Sequence, residues 1–489
     1  MLGPRPMMAT RRLVRWLDQR TGAASTTAKA LDKVFPNHWS FLLGEVALYS
    51  FIILVLTGTY LGFFYEPSVA TVVYDGSYEP LRGVEVSQAY NSAMDLSFDV
   101  RAGLVMRQMH HWAALIFVAA ITAHMARIFF TGAFRRPREL NWMIGVTLML
   151  LAILNGFAGY SLLDDQLSGT GLRIMYSVII SIPVAGTWIA SLLFGGAFPG
   201  DDILNRLFLI HVFVVPGVIA GLLVLHIGML VKHKHTHFAG HGATDHNVVG
   251  ERLWPTYAAK AGGLFFFVGA VTAALGGLAQ INAIWVYGPF RTSNVSALSQ
   301  PDWYMGWLEG AMRLMPAWET RFAGFTVPNP FFPGVLVPGL TFTMLYLWPF
   351  LEARRTKDHA EHHVLDRPRD RPARTAAGVA TLAFYSVLGL GGANDLITTF
   401  FGFSLNQVVW ILRGMLVVVP PVAALAAYRL CLELQARDAA EPTATGEPAA
   451  GEGTAGEGSA GEGSAGEAAA GEPAVGQPAR GTAGAVPDR

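Results

Sequence analysis

Cysteine and charge are both scarce in this sequence. Cys431 is the single cysteine among 489 residues, which excludes disulfide bonds, cysteine-ligated iron–sulfur clusters and CxxCH haem attachment within the chain. Any redox metal must therefore be held by other side chains. Charged residues make up 14% of the chain and hydrophobic ones 52%, whereas about 25% of an ordinary soluble domain is charged. This composition predicts a polytopic membrane protein.

Apolar runs occupy most of the chain up to residue 432, and eight of them can cross a hydrocarbon core of about 30 Å as helices. They lie at 41–65, 104–131, 142–162, 205–231, 256–280, 332–351, 375–391 and 405–432. We predict an all-α membrane protein with eight transmembrane helices. A further apolar stretch, Ile174 to Phe194, is interrupted by Pro183 and Gly186, so we expect short surface helices there.

Lysine and arginine follow the second, fourth and sixth apolar runs, whereas segments after the first, third and fifth runs carry few bases and many acids. Because cytoplasmic loops are enriched in basic residues, this pattern places both termini in the cytoplasm. The first run begins near Phe41 behind a basic segment, and no signal-peptide cleavage pattern follows it. We expect the first helix to be retained as a membrane anchor.

Four histidines stand inside the apolar runs, as His110 with His124 and His211 with His226. Membrane helices rarely hold such residues without a function. Fourteen positions span roughly 21 Å of helix and return to within about 40° of the same face, and fifteen give roughly 22 Å and about 60°. This geometry predicts two stacked bis-histidine haems, with His110 and His211 nearer the outer face. The alternative is that each histidine bonds a backbone carbonyl or a lipid headgroup.

His111, the neighbour of His110, is an alternative candidate for the haem ligand. The thirteen positions from His111 to His124 rotate the helix face by about 140°, so these two side chains cannot both address one neighbouring helix. The helical phase therefore favours His110. We expect His111 to pack or to hydrogen-bond locally.

Two pairs of glycines repeat the histidine spacing, Gly44 with Gly58 in the first run and Gly145 with Gly159 in the third. A glycine has no Cβ, so a flat macrocycle could approach the backbone at the two depths of the histidines. The alternative is ordinary close packing of membrane helices, where small residues are common.

Haem propionates need cationic or hydrogen-bonding partners near the membrane faces. Arg127, one turn beyond His124, and the indole of Trp142 are candidates at the inner depth. Arg107, one turn before His110, is the candidate at the outer depth. Each of them also fits the role of an interfacial anchor.

Pro301, Asp302, Trp303 and Tyr304 form a short motif in the outer connection after the fifth run. A carboxylate there could accept a proton from a bound hydroquinone, whose oxidation releases two protons. The alternative is a surface turn, since Pro-Asp pairs are common in turns.

Basic side chains crowd the inner end of the fourth run. They are Lys232, His233, Lys234, His235 and His237. Lys234 and His235 could deliver protons to a quinone reduced at the inner face, or the whole group could simply follow the positive-inside rule.

Together these motifs resemble the cytochrome b subunit of quinol:cytochrome c reductases, and the resemblance covers roughly residues 35 to 432. The segment Arg107 to Arg127 is similar to the second helix of that family, and the fourth run with its two histidines is similar to the fourth. Trp142 with Gly145, and Gly159 with Tyr160, resemble the two ends of its third helix. The segment Pro301 to Tyr304 resembles the Pro-Glu-Trp-Tyr motif of the quinol oxidation site.

The resemblance implies that His110 and His211 ligate a low-potential outer haem, and that His124 and His226 ligate a high-potential inner one. It also implies that quinol is oxidised near Asp302 and Tyr304. One electron then passes to a Rieske iron–sulfur subunit, and the other crosses both haems to an inner quinone. The expected function is therefore a proton-translocating respiratory subunit that works with a cytochrome c subunit.

Some features depart from the general family pattern. Asp302 replaces the usual Glu and shortens its reach, and the fourth helix spaces its histidines by fifteen positions where the mitochondrial form uses fourteen. The first helix has no cysteine, so the extra haem of photosynthetic relatives is not expected. The segment Gly159 to Gln166 and the long tail are most similar to the actinobacterial form. That form implies menaquinol, a bacterial plasma membrane and a homodimer that can join a supercomplex with a terminal oxidase.

We expect four parts in the chain: a cytoplasmic segment at 1–40, a haem-binding four-helix bundle at 41–232, four further helices at 233–432, and a disordered Gly/Ala/Glu-rich tail at 433–489. Membrane lipid, but no nucleic acid, is expected as a further partner. Two alternative functions remain open from the residues alone. One is a dihaem membrane anchor of another quinone-linked dehydrogenase, and the other is a haem-free transporter with a histidine proton relay.

Overall fold

Helices dominate the computed structural model, which describes residues 5–294, 298, 300–322 and 324–440. In chain order the helices are α1 (Arg5–Thr21), α2 (Ala23–Leu31), α3 (Leu43–Gly62), α4 (Gln88–Phe98), α5 (Gly103–Phe130), α6 (Glu139–Ser161), α7 (Gln166–Ile180), α8 (Gly186–Phe194), α9 (Ile203–Leu209), α10 (Val215–His233), α11 (Ala258–Leu278), α12 (Ile284–Tyr287), α13 (Trp303–Leu314), α14 (Val337–Thr356), α15 (Pro372–Gly392), α16 (Asn394–Phe401) and α17 (Leu405–Ala440).

Three short antiparallel β-ribbons lie in the segments that connect the helices. They pair β1 (Val34–Phe35) with β4 (Glu251–Arg252), β2 (Thr71–Val73) with β3 (Glu85–Ser87), and β5 (Thr320–Phe322) with β6 (Phe325–Val327). Their registers place Val34 opposite Arg252, Val72 opposite Val86 and Arg321 opposite Thr326. The ribbons are too short to form a sheet core, so the fold is all-α as predicted.

Eight helical segments of the described chain are long and apolar enough to cross a membrane, which confirms the predicted number. They are Trp39–Gly62, Gly103–Phe130, Glu139–Ser161, Ile203–His233, Leu253–Leu278, Phe332–Thr356, Pro372–Gly392 and Leu405–Ala440. Many of their apolar side chains are exposed, for example Leu278 at 90% and Phe266 at 74%. Such faces are stable when they contact lipid instead of water.

The connection between α6 and α9 forms two short helices, as predicted. α7 ends at Ile180 and α8 begins at Gly186, because Pro183 cannot continue a helical hydrogen-bond ladder. Neither helix is long enough and apolar enough to count as a ninth span among the described residues.

The last helix is longer than expected. It continues to Ala440, so residues 433–440 are helical although they were assigned to the disordered tail. The prediction for the remaining tail lies outside the described residues.

The centre of the fold lies between the first four spans. α3 packs against α5, and α10 packs against α6. Buried Phe51, Phe117, Val146 and Ile219 come from these four helices and form part of one apolar cluster. Helices from the second half of the chain also contact this bundle, since α11 packs on α3 and α5, and α14 packs on α6. The two predicted groups of helices therefore share an interface.

Candidate functional site

His110 and His211 face each other across the bundle, and we call them the outer pair because the loop charges predict that they lie nearer the outer face. Their ring centres are 6.1 Å apart and the ring planes are inclined by 78°. If a metal ion lay between the two rings, its two bonds to nitrogen would each be about 2 Å long and would together take up about 4 Å of the distance between ring centres. The remaining distance of about 2 Å matches the sum of the two distances from a ring nitrogen to its own ring centre. The outer pair could therefore hold one metal ion between its two rings.

Hydrogen bonds fix the orientation of both rings of the outer pair. The Nδ1 of His211 donates to the carbonyl oxygen of Asn155 at 2.9 Å. The Nδ1 of His110 lies 2.9 Å from the hydroxyl of Thr57, and that hydroxyl donates to the carbonyl of Ile53 at 2.7 Å. Because the Thr57 hydroxyl already donates its proton to Ile53, it can only accept from His110. The Nδ1 of His110 is therefore the donor in the bond to Thr57. Both Nε2 atoms are left as free ligands, which is the usual arrangement of metal-bound histidine.

The inner pair, His124 and His226, lies at the second depth, on α5 and α10. The two side chains are close enough to interact electrostatically. The Nδ1 of His124 is buried and has no hydrogen-bond partner among the described residues, whereas the His226 ring lies beside the backbone of Asn141. The inner pair is thus less firmly oriented than the outer pair.

The four predicted glycines each face one of these histidines. A Cβ at Gly58 would lie 3.0 Å from Cε1 of His110, and one at Gly159 would overlap the ring of His211. Glycines therefore make room for the imidazole rings. That they also let a macrocycle approach the backbone stays a prediction.

The inner depth repeats this arrangement with looser contacts. A Cβ at Gly44 would lie 3.2 Å from Cε1 of His124, and one at Gly145 would lie 3.7 Å from Cε1 of His226. The second distance is an ordinary van der Waals contact, so the space at Gly145 is the least restricted of the four.

A π-helical turn explains the unequal histidine spacing. Residues Ile210–Val214 form this turn between α9 and α10, and His211 lies within it. A π turn contains one residue more than an α turn, so the fifteen positions to His226 act as fourteen helical steps. The fourth span therefore presents its two rings with the same offset of about 40° as the second span.

Two arginines keep buried nitrogen atoms free for an anion. Arg107 is 7% exposed and donates from Nη1 to the carbonyl of Asn282 at 3.2 Å, while its Nε and Nη2 have no partner among the described residues. The Arg127 guanidinium lies 4.0 Å over the ring of Phe41, and its Nε and Nη2 are likewise unpartnered. Because a buried cation without an anion is costly, both positions fit the carboxylates of haem propionates.

Trp142 does not take the role expected of it. Its indole nitrogen donates to the carbonyl oxygen of Leu345 on α14 at 2.6 Å. That bond joins α6 to α14 and leaves the indole N–H unavailable to a propionate. At the inner depth, Arg127 alone of the two candidates retains free donors.

One cavity joins the outer pair to the Pro-Asp-Trp-Tyr motif. The volume of this cavity that is open to the centre of a water molecule is about 270 Å³. Its wall includes Gly58, Arg107, His110, His111, Asn155, Gly156, Gly159, Tyr160, His211, Asn282, Asp302 and Tyr304. A substrate in this cavity would contact the acid of the motif and lie beside the outer pair.

A chain of hydrogen bonds, which we call the acidic triad, runs through His111, Asp302 and Tyr304. The Nε2 of His111 lies 2.7 Å from Oδ1 of Asp302, and the Tyr304 hydroxyl donates to Oδ2 at 3.1 Å. Our expectation that His111 bonds locally is therefore wrong, because its partner lies 191 positions away. The sequence signal for this contact was that His111 is a second polar residue, directly beside the candidate ligand His110, in an otherwise apolar helix.

Tyr304 is protonated at neutral pH. Burial, and then the adjacent Asp302, raise the pKa of its phenol well above the usual value. Gly156 on α6 lies directly against the phenol, where a Cβ would overlap its oxygen. The phenol is therefore a fixed donor to Asp302.

The inner candidates are less closely organised. The Lys234 ammonium is exposed and donates to the carbonyl of His246 at 3.3 Å. The His235 ring lies 4.6 Å from that of Phe35, and burial, followed by the charges of Arg138 and Arg127, lowers its pKa to about 4. His235 is therefore neutral at pH 7 and better suited to hydrogen bonding than to donating a proton.

Arg138 organises the inner end of α10, a role that no local pattern in the sequence indicates. Its guanidinium donates to the carbonyl oxygens of His362 at 2.6 Å, His233 at 2.9 Å and Lys234 at 3.0 Å. Burial lowers its pKa to about 10, so it remains charged. This contact caps the end of α10 and holds the segment that carries Lys234 and His235.

Fold and site together define a multi-pass, all-α membrane protein with two pairs of partly buried histidines in its first four spans. Curated relatives carry the name cytochrome bc1 complex cytochrome b subunit. One from Streptomyces coelicolor is 52% identical over 88% of this chain and 79% of its own length. Another from Mycobacterium tuberculosis is 52% identical over 86% of this chain and 77% of its own length. The chain belongs to the family of cytochrome b subunits of the cytochrome bc1 complex.

Further comparisons agree with that family. A relative from Corynebacterium diphtheriae is 51% identical over 86% of this chain and 78% of its own. The family model described as Cytochrome b(N-terminal)/b6/petB matches residues 115–289. A solved structure titled Hyperthermophilic respiratory Complex III shares the fold, with a TM-score of 0.63 and 21% identity, covering 85% of this chain and all of that one. Family membership implies b-type haem and further subunits of the complex.

Proposed function

We propose that this chain oxidises quinol at the outer membrane face and carries one electron across the membrane, as the dihaem subunit of a proton-translocating respiratory complex. One observation carries this proposal. A single cavity joins the outer pair, which is suited to hold a redox metal, to the carboxylate of Asp302, which is suited to accept a proton. Quinol oxidation requires both groups within reach of one substrate.

The residues that would hold the cofactors follow from the contacts above. His110 and His211 would ligate the outer haem, and His124 and His226 the inner one. Arg107 and Arg127 would bind their propionates through the unpartnered guanidinium nitrogens. When bound, the two haems would supply one-electron carriers at two depths of the membrane.

Asp302 is the proposed acceptor of a substrate proton. Tyr304 and His111 each hold one of its carboxylate oxygens, so the side chain faces the cavity in a single orientation. Each oxygen keeps a second lone pair for a substrate hydroxyl. A carboxylate held in this way needs no rearrangement when the quinol arrives.

At the inner face, we propose that a quinone is reduced near His235 and Lys234. Neutral His235 would hydrogen-bond the quinone oxygen, and exposed Lys234 would connect the site to water. Similarity to actinobacterial relatives supports menaquinol as the substrate and a bacterial plasma membrane as the location. The distribution of basic residues supports cytoplasmic termini.

The complex that we propose contains a Rieske iron–sulfur subunit as the first electron acceptor and a cytochrome c subunit beyond it. The similarity to actinobacterial relatives also underlies the proposal of a homodimer that associates with a terminal oxidase. Native mass spectrometry of the mildly solubilised complex would detect each of these partners.

A reduced-minus-oxidised optical spectrum with redox titration tests the central proposal. The purified complex should show two b-type components with different midpoint potentials. A spectrum without b-type haem would favour a histidine relay in a transporter. A single b-type component would contradict the assignment of two ligand pairs.

A further inference from the structure

Helix α1 presents an apolar face that is about half exposed among the described residues. Leu13, Val14, Trp16 and Leu17 are 58%, 52%, 50% and 43% exposed. Leu13 and Leu17 are four positions apart, so they lie on one face of the helix, with Val14 beside them. Large apolar side chains grouped in this way indicate an interaction surface.

The opposite face of the same helix is basic. Arg12, Arg15 and Gln19 follow each other at intervals of three and four positions, which places them on one stripe. Arg20 in the last turn folds its guanidinium over Trp16 at 4.2 Å. Asp18 is the single acid among five arginines between Arg5 and Thr21, so the helix is strongly cationic.

The position of α1 in the chain brings it to the membrane surface. α2 and β1 connect it to the first span, which begins at Trp39. β1 pairs with β4 at the start of α11, and Lys33 donates to the carbonyl of Val231 near the end of α10 at 3.3 Å. The segment that follows α1 is thus attached to the C-terminal end of α10, which carries His226, and to the start of α11.

We propose that α1 lies in the plane of the inner membrane surface, with its apolar face among the acyl chains and its arginines on anionic phospholipid headgroups. A helix with a wide apolar face and a basic polar face takes this position at a bilayer. The positive charge selects anionic over zwitterionic lipid, because lysine and arginine near a negative surface gain electrostatic attraction that salt screens.

Spin labels on the two faces of α1 test this position in the full-length chain within its complex. Cys431→Ser removes the native thiol, and Leu17→Cys and Gln19→Cys introduce one label each, on the apolar and the basic face. The complexes are placed in nanodiscs of phosphatidylcholine with 30% phosphatidylglycerol. Collision with oxygen should be at least threefold greater for the label at position 17, and collision with a water-soluble nickel chelate should be greater for the label at position 19.

Two results would overturn the membrane position. Equal accessibility of the two labels would mean that the helix is surrounded by water. A label at position 17 that is shielded from both reagents would mean that another protein covers the apolar face.

Charge variants test the choice of anionic lipid. The contrast between the two labels should fall in nanodiscs of phosphatidylcholine alone, and also when Arg12→Gln and Arg15→Gln are combined. The matched pair Arg12→Lys with Arg15→Lys should retain it. An equal contrast in all these samples would overturn the role of anionic lipid. The optical spectrum of each sample is recorded in parallel, so failure of the haem assignment is distinguishable from failure of this proposal.

Discussion

At the scale of single residues, two adjacent histidines serve different sites because a helix turns by about 100° per residue. His110 faces Gly58 and the ring of His211. His111 turns away from that pair and reaches the carboxylate of Asp302. The acidic triad and the outer pair are thus joined through consecutive positions of one rigid element.

Asp302→Asn tests proton acceptance at the outer site. The amide keeps the shape of the side chain but cannot take up a proton, so quinol oxidation should slow by about 100-fold or more. Steady-state reduction of cytochrome c by the purified complex measures the rate, and the optical spectrum checks that both haems are retained. Unchanged turnover would remove Asp302 from the reaction.

His111→Leu tests whether this side chain positions Asp302. Losing the hydrogen bond frees the carboxylate to rotate, so kcat should fall by about tenfold with little change in KM. His111→Gln retains a donor of similar reach and should restore much of the rate. Both haem components should persist in each variant. Loss of the outer component in His111→Leu would instead identify His111 as an iron ligand.

At the scale of helices, pairs of spans approach closely where glycine faces histidine. The eight spans and the shared spacing of the glycines and histidines could be predicted from the sequence, because these are local patterns. That the glycines face the histidine rings depends on how the spans pack. The π turn at Ile210–Val214 was not foreseen, because an added residue leaves an apolar run unbroken. Contacts between distant parts, such as His111 with Asp302 or Trp142 with Leu345, depend on packing that no local pattern encodes.

Gly159→Ala tests the closest of these approaches. The added methyl overlaps the His211 ring, and such overpacking costs about 1–3 kcal/mol. The outer haem component should therefore be lost or its spectrum shifted, while the inner component persists. Gly217→Ala on α10 is the matched control, since a Cβ there meets no atom within 4 Å. Equal effects of the two variants would contradict a specific contact with His211.

At the scale of the whole molecule, the ends of the spans carry the ionisable groups that couple stability to pH. Arg374 on α15 bonds Glu352 on α14 and Asp366 in the following loop, and Arg135 bonds the same Asp366. Arg138 joins three carbonyl groups from two connections. These contacts hold together segments that the apolar spans alone would leave unattached.

His235 should make the folded protein less stable in mild acid. Its pKa is about 4 when folded and about 6.5 when unfolded, so between these values the unfolded chain binds more protons. Its stabilising contribution is fully present above pH 6.5 and is lost as the pH falls toward 4. The thermal midpoint of His235→Phe should therefore fall less between pH 7 and pH 5 than that of the unaltered protein. His241→Phe, at an exposed position, is the control, and an equal change in both variants would contradict the assignment.

The π turn in the fourth span has a consequence for changes in chain length. The turn contains one residue more than a regular α-helical turn, and it lies in the span that carries the rings of His211 and His226. Gly159 and Gly145 contact these two rings. A chain that lacks this residue could close the turn into regular α-helix and leave both rings in place. A chain shorter by one residue at this point could therefore keep the same distance between the two metal positions.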